Sequence, residues 1–127
     1  MIKTKCLYYP KDISDGARIL ITRYWPRGIK KEHFDRWHKE LSPSRDLLKK
    51  YKNNKIDFQT FERLFLEEIE KSNAIDVCKE IVNKSMKGKN ITLLCYEKDE
   101  EICHRKFVKN ICEQELLKIN NIKIYSI

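Results

Sequence analysis

The apolar run Ile91-Thr92-Leu93-Leu94-Cys95-Tyr96 is the strongest fold signal in this chain of 127 residues. A nearly continuous apolar run of this length is typical of a strand that is buried on both faces of a mostly parallel sheet. We therefore predict that residues 91–96 form the central strand. Helical patterns precede and follow the run, which indicates a sheet covered by helices.

Two more strands are predicted near the N-terminus and one near the C-terminus. Residues 2–9 form the first, which ends at Pro10, and residues 17–23 form the second, which follows the turn-forming Ser14-Asp15-Gly16. Residues 24–28 then form a loop, because Pro26 lacks a backbone donor and Gly28 permits a positive φ. Residues 122–125 are predicted to form a last short strand.

Apolar residues at three- and four-residue spacing predict five helices. Capping residues mark several of their ends, with an N-cap signal in Ser42-Pro43 and in Asp57 and a terminator in Gly88. The predicted helices cover residues 32–41, 44–51, 58–69, 73–87 and, after an acidic first turn at Asp99-Glu100-Glu101, residues up to about Lys118. Strands alternating with helices predict a small three-layer α/β fold, in a single domain over residues 1–127.

Composition narrows the class of protein. Hydrophobic residues make up 41% and charged residues 36%, so the chain can bury a core. No apolar run approaches the roughly 20 residues of a membrane span, and we find no secretory signal, so a cytoplasmic protein is expected. The five cysteines have no regular spacing, and neither Cys-x-x-Cys nor a phosphate- or dinucleotide-binding glycine motif is present. The sequence thus predicts no disulfide framework and no cofactor. Metal binding by Cys95, Cys103 and His104 is conceivable, but their spacing does not favour it, so no metal site is predicted.

The chain is basic, with 27 Lys and Arg against 19 Asp and Glu and a formal charge of +8. Such an excess favours anionic partners by long-range attraction. The chain is also rich in Lys, Ile and Asn together, a bias that codon usage in an AT-rich genome produces without any partner. The positive charge alone therefore does not establish nucleic-acid binding, which remains an alternative function.

The first candidate site segment is the loop after the second strand. Ligands of open α/β sheets bind beyond the carboxyl ends of the strands, and this loop places Arg23, Trp25 and Arg27 there. The arginines could grip an anion and the tryptophan could stack on a planar base. The competing interpretation is that Trp25 packs on the sheet while both arginines pair with surface carboxylates.

The second candidate segment follows the central strand. It begins with Cys95 and Glu97 and continues to Cys103, His104 and Arg105 in the opening turns of the next helix, where an anion is favoured. Cys95 is explained better as a core residue than as a reactive thiol, whereas Cys103 is either a reactive or ligand-contacting thiol or an inward-facing helix residue. Because His104 is the immediate neighbour of Cys103, we expect it on a different side of the helix.

Four motifs together resemble a known family. They are Arg23-Tyr24-Trp25-Pro26-Arg27-Gly28, Leu41-Ser42-Pro43-Ser44, Leu93-Leu94-Cys95-Tyr96-Glu97-Lys98-Asp99 and Cys103-His104-Arg105. In this order, over roughly residues 1–117, they resemble the domain-of-unknown-function 488 (DUF488) family of small bacterial and archaeal proteins. The resemblance implies a compact Rossmann-like α/β domain with a small, mostly parallel sheet flanked by helices, and it implies no particular reaction.

The sequence thus predicts a strand-end pocket for a phosphorylated or nucleotide-like small molecule. If the protein is an enzyme, a general acid or base and positive charges would support hydrolysis or group transfer. The alternative is a non-catalytic nucleic-acid-binding or regulatory module with a basic face. The substrate, the oligomeric state and the strand order stay open. The candidate catalytic residues are Glu97, Cys103 and His104, and the candidate ligand-binding residues are Arg23, Trp25, Arg27, Cys95 and Arg105.

Overall fold

A computed structural model describes residues 1–99 and 103–125 of the chain. Over these residues it contains four strands, four α-helices and three short 3-10 turns. The strands are β1 (Ile2–Cys6), β2 (Ala17–Leu20), β3 (Arg36–Trp37) and β4 (Ile91–Cys95). The helices are α1 (Arg45–Lys52), α2 (Phe58–Glu70), α3 (Ala74–Met86) and α4 (Arg105–Tyr125). The 3-10 turns are Ile13–Asp15, Lys31–His33 and Lys39–Leu41.

The four strands form one parallel sheet in the order β1-β4-β2-β3. All five residues of β4 are buried, and this strand lies between β1 and β2, as the apolar run predicted. The compact α/β fold with a small parallel sheet is therefore confirmed. Because the strands are parallel, their carboxyl ends meet at one edge, where Cys6 is paired with Cys95 and Leu20 with Leu94.

The two faces of the sheet are covered differently. Ile91 and Leu93 of β4 belong to the main core, which is completed by side chains from all four α-helices. Leu94 and Leu20 point to the other face, where they form a smaller core with Phe34. This second face is thus covered by the segment around residues 29–37, which contains no α-helix.

Helix α2 forms as its sequence pattern predicts. Asp57 caps its first turn by accepting a hydrogen bond from the Thr60 backbone N–H at 2.8 Å. The stripe formed by Phe61, Phe65 and Ile69 is buried against the main core. Helix α1 begins slightly later than expected, because Ser44 rather than Ser42 caps it.

The helix predicted over residues 32–41 is wrong. Two 3-10 turns flank the short edge strand β3 in its place. The apolar spacing suggested a single buried face, but Phe34 packs into the small core and Leu41 into the main core on the opposite side of the sheet. One face of one helix cannot reach both cores, so the segment crosses the edge of the sheet as extended chain.

The strand predicted over residues 122–125 is also wrong, because α4 continues to Tyr125. No glycine or proline occurs after Gly88, so nothing in the sequence breaks the helix near Lys118. The helix begins at Arg105, later than the sequence pattern suggested. Glu100 and Glu101, which we expected in its first turn, lie outside the described residues. None of the described helices has the length and apolar character that crossing a membrane requires.

A buried ion pair ties the strands together on the sheet face opposite the helices. The Asp15 carboxylate accepts hydrogen bonds from the Arg18 guanidinium and from Lys5 Nζ, the latter at 3.0 Å. Arg18 Nε also donates to the His33 carbonyl oxygen at 2.8 Å, and the Arg18 backbone N–H donates to the Asp35 carboxylate at 2.8 Å. This network links β1 and β2 to the segment that covers the second face.

Candidate functional site

A cavity of about 230 Å³ lies at the carboxyl edge of the sheet. It lies beyond the ends of β2 and β4, where the sequence analysis placed the site. Cys95, Cys103 and His104 contribute to one part of its lining, and Arg23 and Glu97 contribute to another. Five of the eight candidate residues therefore line the cavity.

Cys95, Cys103 and His104 converge into one buried cluster. His104 Nδ1 lies 3.5 Å from Cys95 Sγ and 3.9 Å from Cys103 Sγ, and the three groups lie within 4.8 Å of one another. The two cysteines are each 2% exposed and the histidine 7%. We expected Cys103 and His104 to diverge on a helix. They converge because both precede α4, which begins at Arg105.

The backbone fixes the orientation of the His104 ring. Its Nε2 lies 2.6 Å from the carbonyl oxygen of Ile21, just beyond the end of β2. A carbonyl oxygen can only accept, so Nε2 carries the proton and donates it. The ring of Phe65 packs edge-to-face against the imidazole at a centroid distance of 5.6 Å. As a result, Nδ1 is the ring nitrogen that faces the two sulfurs.

The two sulfurs of the cluster have opposite acidities in this arrangement. The hydrogen bond from Cys95, together with the hydrogen bond and charge of His104, outweighs burial and lowers the pKa of Cys103 to about 4. Burial, followed by the neighbouring Cys103, raises the pKa of Cys95 well above its usual value. The proton is therefore lost more readily from Cys103 than from Cys95.

Arg105 fastens the loop after β4 onto the start of α4. Its guanidinium is buried and donates to the carbonyl oxygens of Glu97 and Lys98, the second at 3.2 Å. These bonds hold Cys103 close to Cys95. Arg105 does not line the cavity, and its Nε has no hydrogen-bond partner among the described residues. Glu97 lies exposed at the rim of the cavity.

Arg23 is held in place by the loop that precedes α1. Its Nε donates to the Pro43 carbonyl oxygen at 2.9 Å, and its Nη2 donates to the Ser42 carbonyl oxygen at 3.1 Å. The following residue is fixed as well, since the Tyr24 carbonyl oxygen accepts from the Tyr96 hydroxyl at 2.7 Å. The half-buried guanidinium therefore has a defined position in the cavity wall.

Trp25 and Arg27 lie outside the cavity lining. The Trp25 ring packs edge-to-face against Phe34 and Trp37, with centroid distances of 5.0 and 5.3 Å, and its Nε1 donates to the Ile29 carbonyl oxygen at 3.0 Å. Arg27 is exposed on the same loop. The structure therefore brings Arg23 alone of these three residues to the cavity.

Several lining residues were missed by sequence reasoning. Tyr24 and Tyr96 directly follow residues we had selected, so their position after a strand end was an available signal. Tyr51 and Lys52 reach the cavity from the last turn of α1. Their local sequence pattern indicates only an amphipathic helix, so the packing of α1 on the sheet edge was needed to find them.

The chain is similar in sequence to several uncharacterized bacterial proteins. The chain is 44% identical over 70 residues to the uncharacterized protein YeaO of Escherichia coli, a match that covers 54% of this chain and 61% of YeaO. The matched region thus spans less than two thirds of that relative. It is 29% identical over 87 residues to the uncharacterized protein Rv3073c of Mycobacterium tuberculosis, covering 67% of this chain and 74% of that protein. The uncharacterized protein Mb3100c of Mycobacterium bovis matches equally well.

No solved structure gives a significant match to the chain. The sequence profile of DUF488-N3a, described as the active DUF488-N3 subclade, matches residues 2–116. This match includes all four motifs that suggested the resemblance and every residue of the cysteine–histidine cluster. The chain belongs to the DUF488 family.

Proposed function

We propose that the protein is an enzyme that acts on a phosphorylated or nucleotide-like small molecule bound in the strand-end cavity. The observation that carries this proposal is the convergence of Cys95, Cys103 and His104 in the same cavity that Arg23 lines. A buried thiol–imidazole cluster is a costly arrangement that a purely structural role does not require. The description of the matching subclade as active agrees with a catalytic role.

Arg23 supplies the anion-binding group. Its planar guanidinium offers several donors and favours two-point contact with phosphate or carboxylate oxygens. The carbonyl oxygens of Ser42 and Pro43 fix its position without cancelling its charge. Less side-chain entropy is then lost when an anion binds. Lys52, which also lines the cavity, adds a second positive charge.

Aromatic side chains supply a surface for the rest of the ligand. Tyr24, Tyr51 and Tyr96 line the cavity, and a base or a sugar can pack on such rings. The volume of about 230 Å³ is below the range of roughly 300–1,000 Å³ that is usual for sites of drug-sized ligands. The size therefore favours a small phosphorylated compound, or a mononucleotide that is only partly enclosed, over a polymer that is enclosed along its length.

The position of each residue in the cavity indicates its role in the reaction. Hydrolysis or group transfer needs proton transfer and stabilisation of negative charge. Glu97 at the solvent-exposed rim is assigned the general acid–base role, and Arg23 is assigned the stabilising role. His104 Nε2 donates its proton to the Ile21 carbonyl oxygen, so this nitrogen is not free to act on a ligand. His104 therefore acts on the reaction through the sulfurs of Cys95 and Cys103, which its Nδ1 faces.

Calorimetric titration with adenosine monophosphate and with inorganic phosphate tests the binding half of the proposal. We expect the wild-type protein to bind both, and Arg23→Gln to weaken binding by at least about 10-fold, since a charge-assisted hydrogen bond is lost. Arg63→Gln is the matched control, because Arg63 is exposed on α2, pairs with Glu67 on its own helix and does not line the cavity. Equal loss in both variants, or no binding by the wild-type protein, would contradict the proposal.

The alternative of a nucleic-acid-binding module has some support in the exposed Lys49 and Lys50 of α1, next to the cavity. The two functions differ in their dependence on ligand length and salt. A mononucleotide site predicts affinity that does not rise with oligonucleotide length. Affinity that rises with length and falls steeply with salt, without any binding of adenosine monophosphate, would favour the alternative and overturn the enzyme proposal.

A further inference from the structure

We propose that Cys95, Cys103 and His104 form a zinc site whose fourth coordination position opens into the cavity. The spacing of these three residues in the sequence did not favour a metal site, because it follows no familiar ligand pattern. Folding brings two sulfurs and one imidazole nitrogen within 4.8 Å of one another, and all three side chains are buried. Thiolate and imidazole are the donors that Zn²⁺ prefers in proteins.

The distances fit a tetrahedral ion. Zn–S bonds of about 2.3 Å and Zn–N bonds of about 2.0–2.1 Å place a sulfur and a nitrogen ligand about 3.5 Å apart in a tetrahedral site. His104 Nδ1 lies 3.5 Å from Cys95 Sγ and 3.9 Å from Cys103 Sγ. Zinc can therefore bind with shifts of less than about 1 Å in the side chains, a movement that rotation about χ1 provides.

The hydrogen bond on the far side of His104 is an independent indication of a metal ligand. Histidine ligands in proteins usually donate their second ring N–H to a carbonyl or carboxylate, which fixes the tautomer and the ring orientation. His104 Nε2 does this with the Ile21 carbonyl oxygen at 2.6 Å. The lone pair of a neutral His104 is then on Nδ1, which is the nitrogen that faces both sulfurs.

Charge and connectivity indicate a catalytic rather than a purely structural ion. Two thiolates, a neutral imidazole and Zn²⁺ sum to zero charge, which suits a buried position. Three protein donors are found among the described residues, and all three line the cavity. Three protein ligands with an open fourth position are typical of catalytic zinc, which activates water or polarises a bound oxygen. That use of the open position rests on the proposed function, whereas the metal site itself does not.

A second pair of cysteines supplies the control. Cys78 and Cys112 are fully buried in the main core. A hydrogen bond with Cys78, together with burial, raises the pKa of the Cys112 thiol. They form part of no metal-ligating group of three within the described chain. Substitution of Cys78 removes a buried thiol from the same protein without touching the proposed site.

Cobalt titration tests the proposal directly. The full chain is reduced, stripped with a chelator and titrated anaerobically with Co²⁺. We expect thiolate-to-cobalt charge-transfer absorption and the intense visible bands of a tetrahedral ion, saturating at one equivalent and abolished by Zn²⁺. Cys95→Ser and Cys103→Ser should weaken binding by at least about 100-fold, because each removes a ligand. Cys78→Ala should give the wild-type spectrum. Absence of the charge-transfer band in the wild-type protein, or its loss in Cys78→Ala alone, would overturn the site.

If a variant is less stable than the wild-type protein, zinc binding can still be measured as a shift in its thermal unfolding. Zn²⁺ that binds only the folded protein raises its melting temperature, so wild type and Cys78→Ala should respond while Cys103→Ser should not. An equal response in Cys103→Ser would contradict the proposal. Adenosine monophosphate binding separates this result from the proposed function. A tetrahedral cobalt spectrum without nucleotide binding rejects only the substrate proposal, and the reverse pattern rejects only the zinc site.

Discussion

Replacing Asp15 with alanine should destabilise the protein by about 3 kcal/mol. Asp15 is 4% exposed and Arg18 2%, so the substitution leaves a buried guanidinium without its carboxylate. Removing one partner of a buried ion pair costs about 3–5 kcal/mol. Arg18 retains its hydrogen bond to the His33 carbonyl oxygen, and Lys5, the second cation on the carboxylate, is partly exposed to water. Both facts place the expected loss near the lower limit.

The loss should also depend on pH. Burial acts to raise the pKa of Asp15, but the Asp12 backbone N–H, Lys5 and Arg18 outweigh it and hold that pKa below its ordinary value. A carboxyl group with a lower pKa in the folded state stabilises the protein above its unfolded pKa of about 3.9. That contribution disappears as the pH falls through the folded-state value. The difference in stability between wild type and Asp15→Ala should therefore shrink below about pH 4.

Urea unfolding of both proteins near neutral pH and in acid measures these quantities. Glu67→Ala is the control, because its exposed pair with Arg63 on one helix contributes only about 0.2–0.5 kcal/mol. Nucleotide binding should be unchanged, since Asp15 does not line the cavity. An Asp15→Ala protein within about 1 kcal/mol of wild type, or a difference that persists undiminished in acid, would refute the reasoning.

Four further substitutions separate stability from function. Gly16→Ala should destabilise the protein by more than about 2 kcal/mol, because the φ of residue 16 is +63° and a Cβ there would lie 2.1 Å from the Asn90 carbonyl oxygen. Gly28→Ala should cost only about 1 kcal/mol, because its φ is also positive, at +74°, but a Cβ there meets open space. Equal shifts in their thermal melts would contradict this. Trp25→Ala should cost about 1–2 kcal/mol in urea unfolding and leave nucleotide affinity within about twofold, since its ring packs outside the cavity. A larger loss of affinity would return Trp25 to the site. Glu97→Gln should slow turnover of the phosphorylated substrate by about 100-fold, because it removes the general acid–base group, and should leave the circular dichroism spectrum unchanged. Unaltered turnover would show that Glu97 takes no part in the reaction.

The elements that sequence reasoning located correctly are those whose signal is local. The buried run of β4 needs only its own residues to be recognised as a central strand. Helix α2 carries both its N-cap, Asp57, and its apolar stripe within one segment. The segment from residue 32 to 41 has a similar apolar spacing, but its side chains enter two separate cores. Spacing alone cannot show which core a side chain enters.

The same distinction applies to the site. The rule that ligands bind beyond the carboxyl ends of parallel strands located the loops after β2 and β4. It could not show that Trp25 and Arg105 lie outside the cavity lining, because side-chain direction in a loop or at the start of a helix follows the local backbone conformation. The approach of Cys103 to Cys95 depends on how the start of α4 is placed against the end of β4, and Arg105 stabilises that placement through the carbonyl oxygens of Glu97 and Lys98. The spacing of residues in the sequence does not show this placement.

The central claim is that a phosphorylated ligand and the cysteine–histidine cluster occupy the same cavity. Site-resolved labelling with a small thiol reagent, in reduced and chelator-treated protein, tests it most directly. We predict that Cys103 is labelled while Cys78 and Cys112 in the core stay unlabelled. We also predict that adenosine monophosphate protects Cys103 at the concentrations that saturate binding, and that Arg23→Gln removes this protection. Labelling of Cys103 that is unaffected by bound nucleotide would contradict the account.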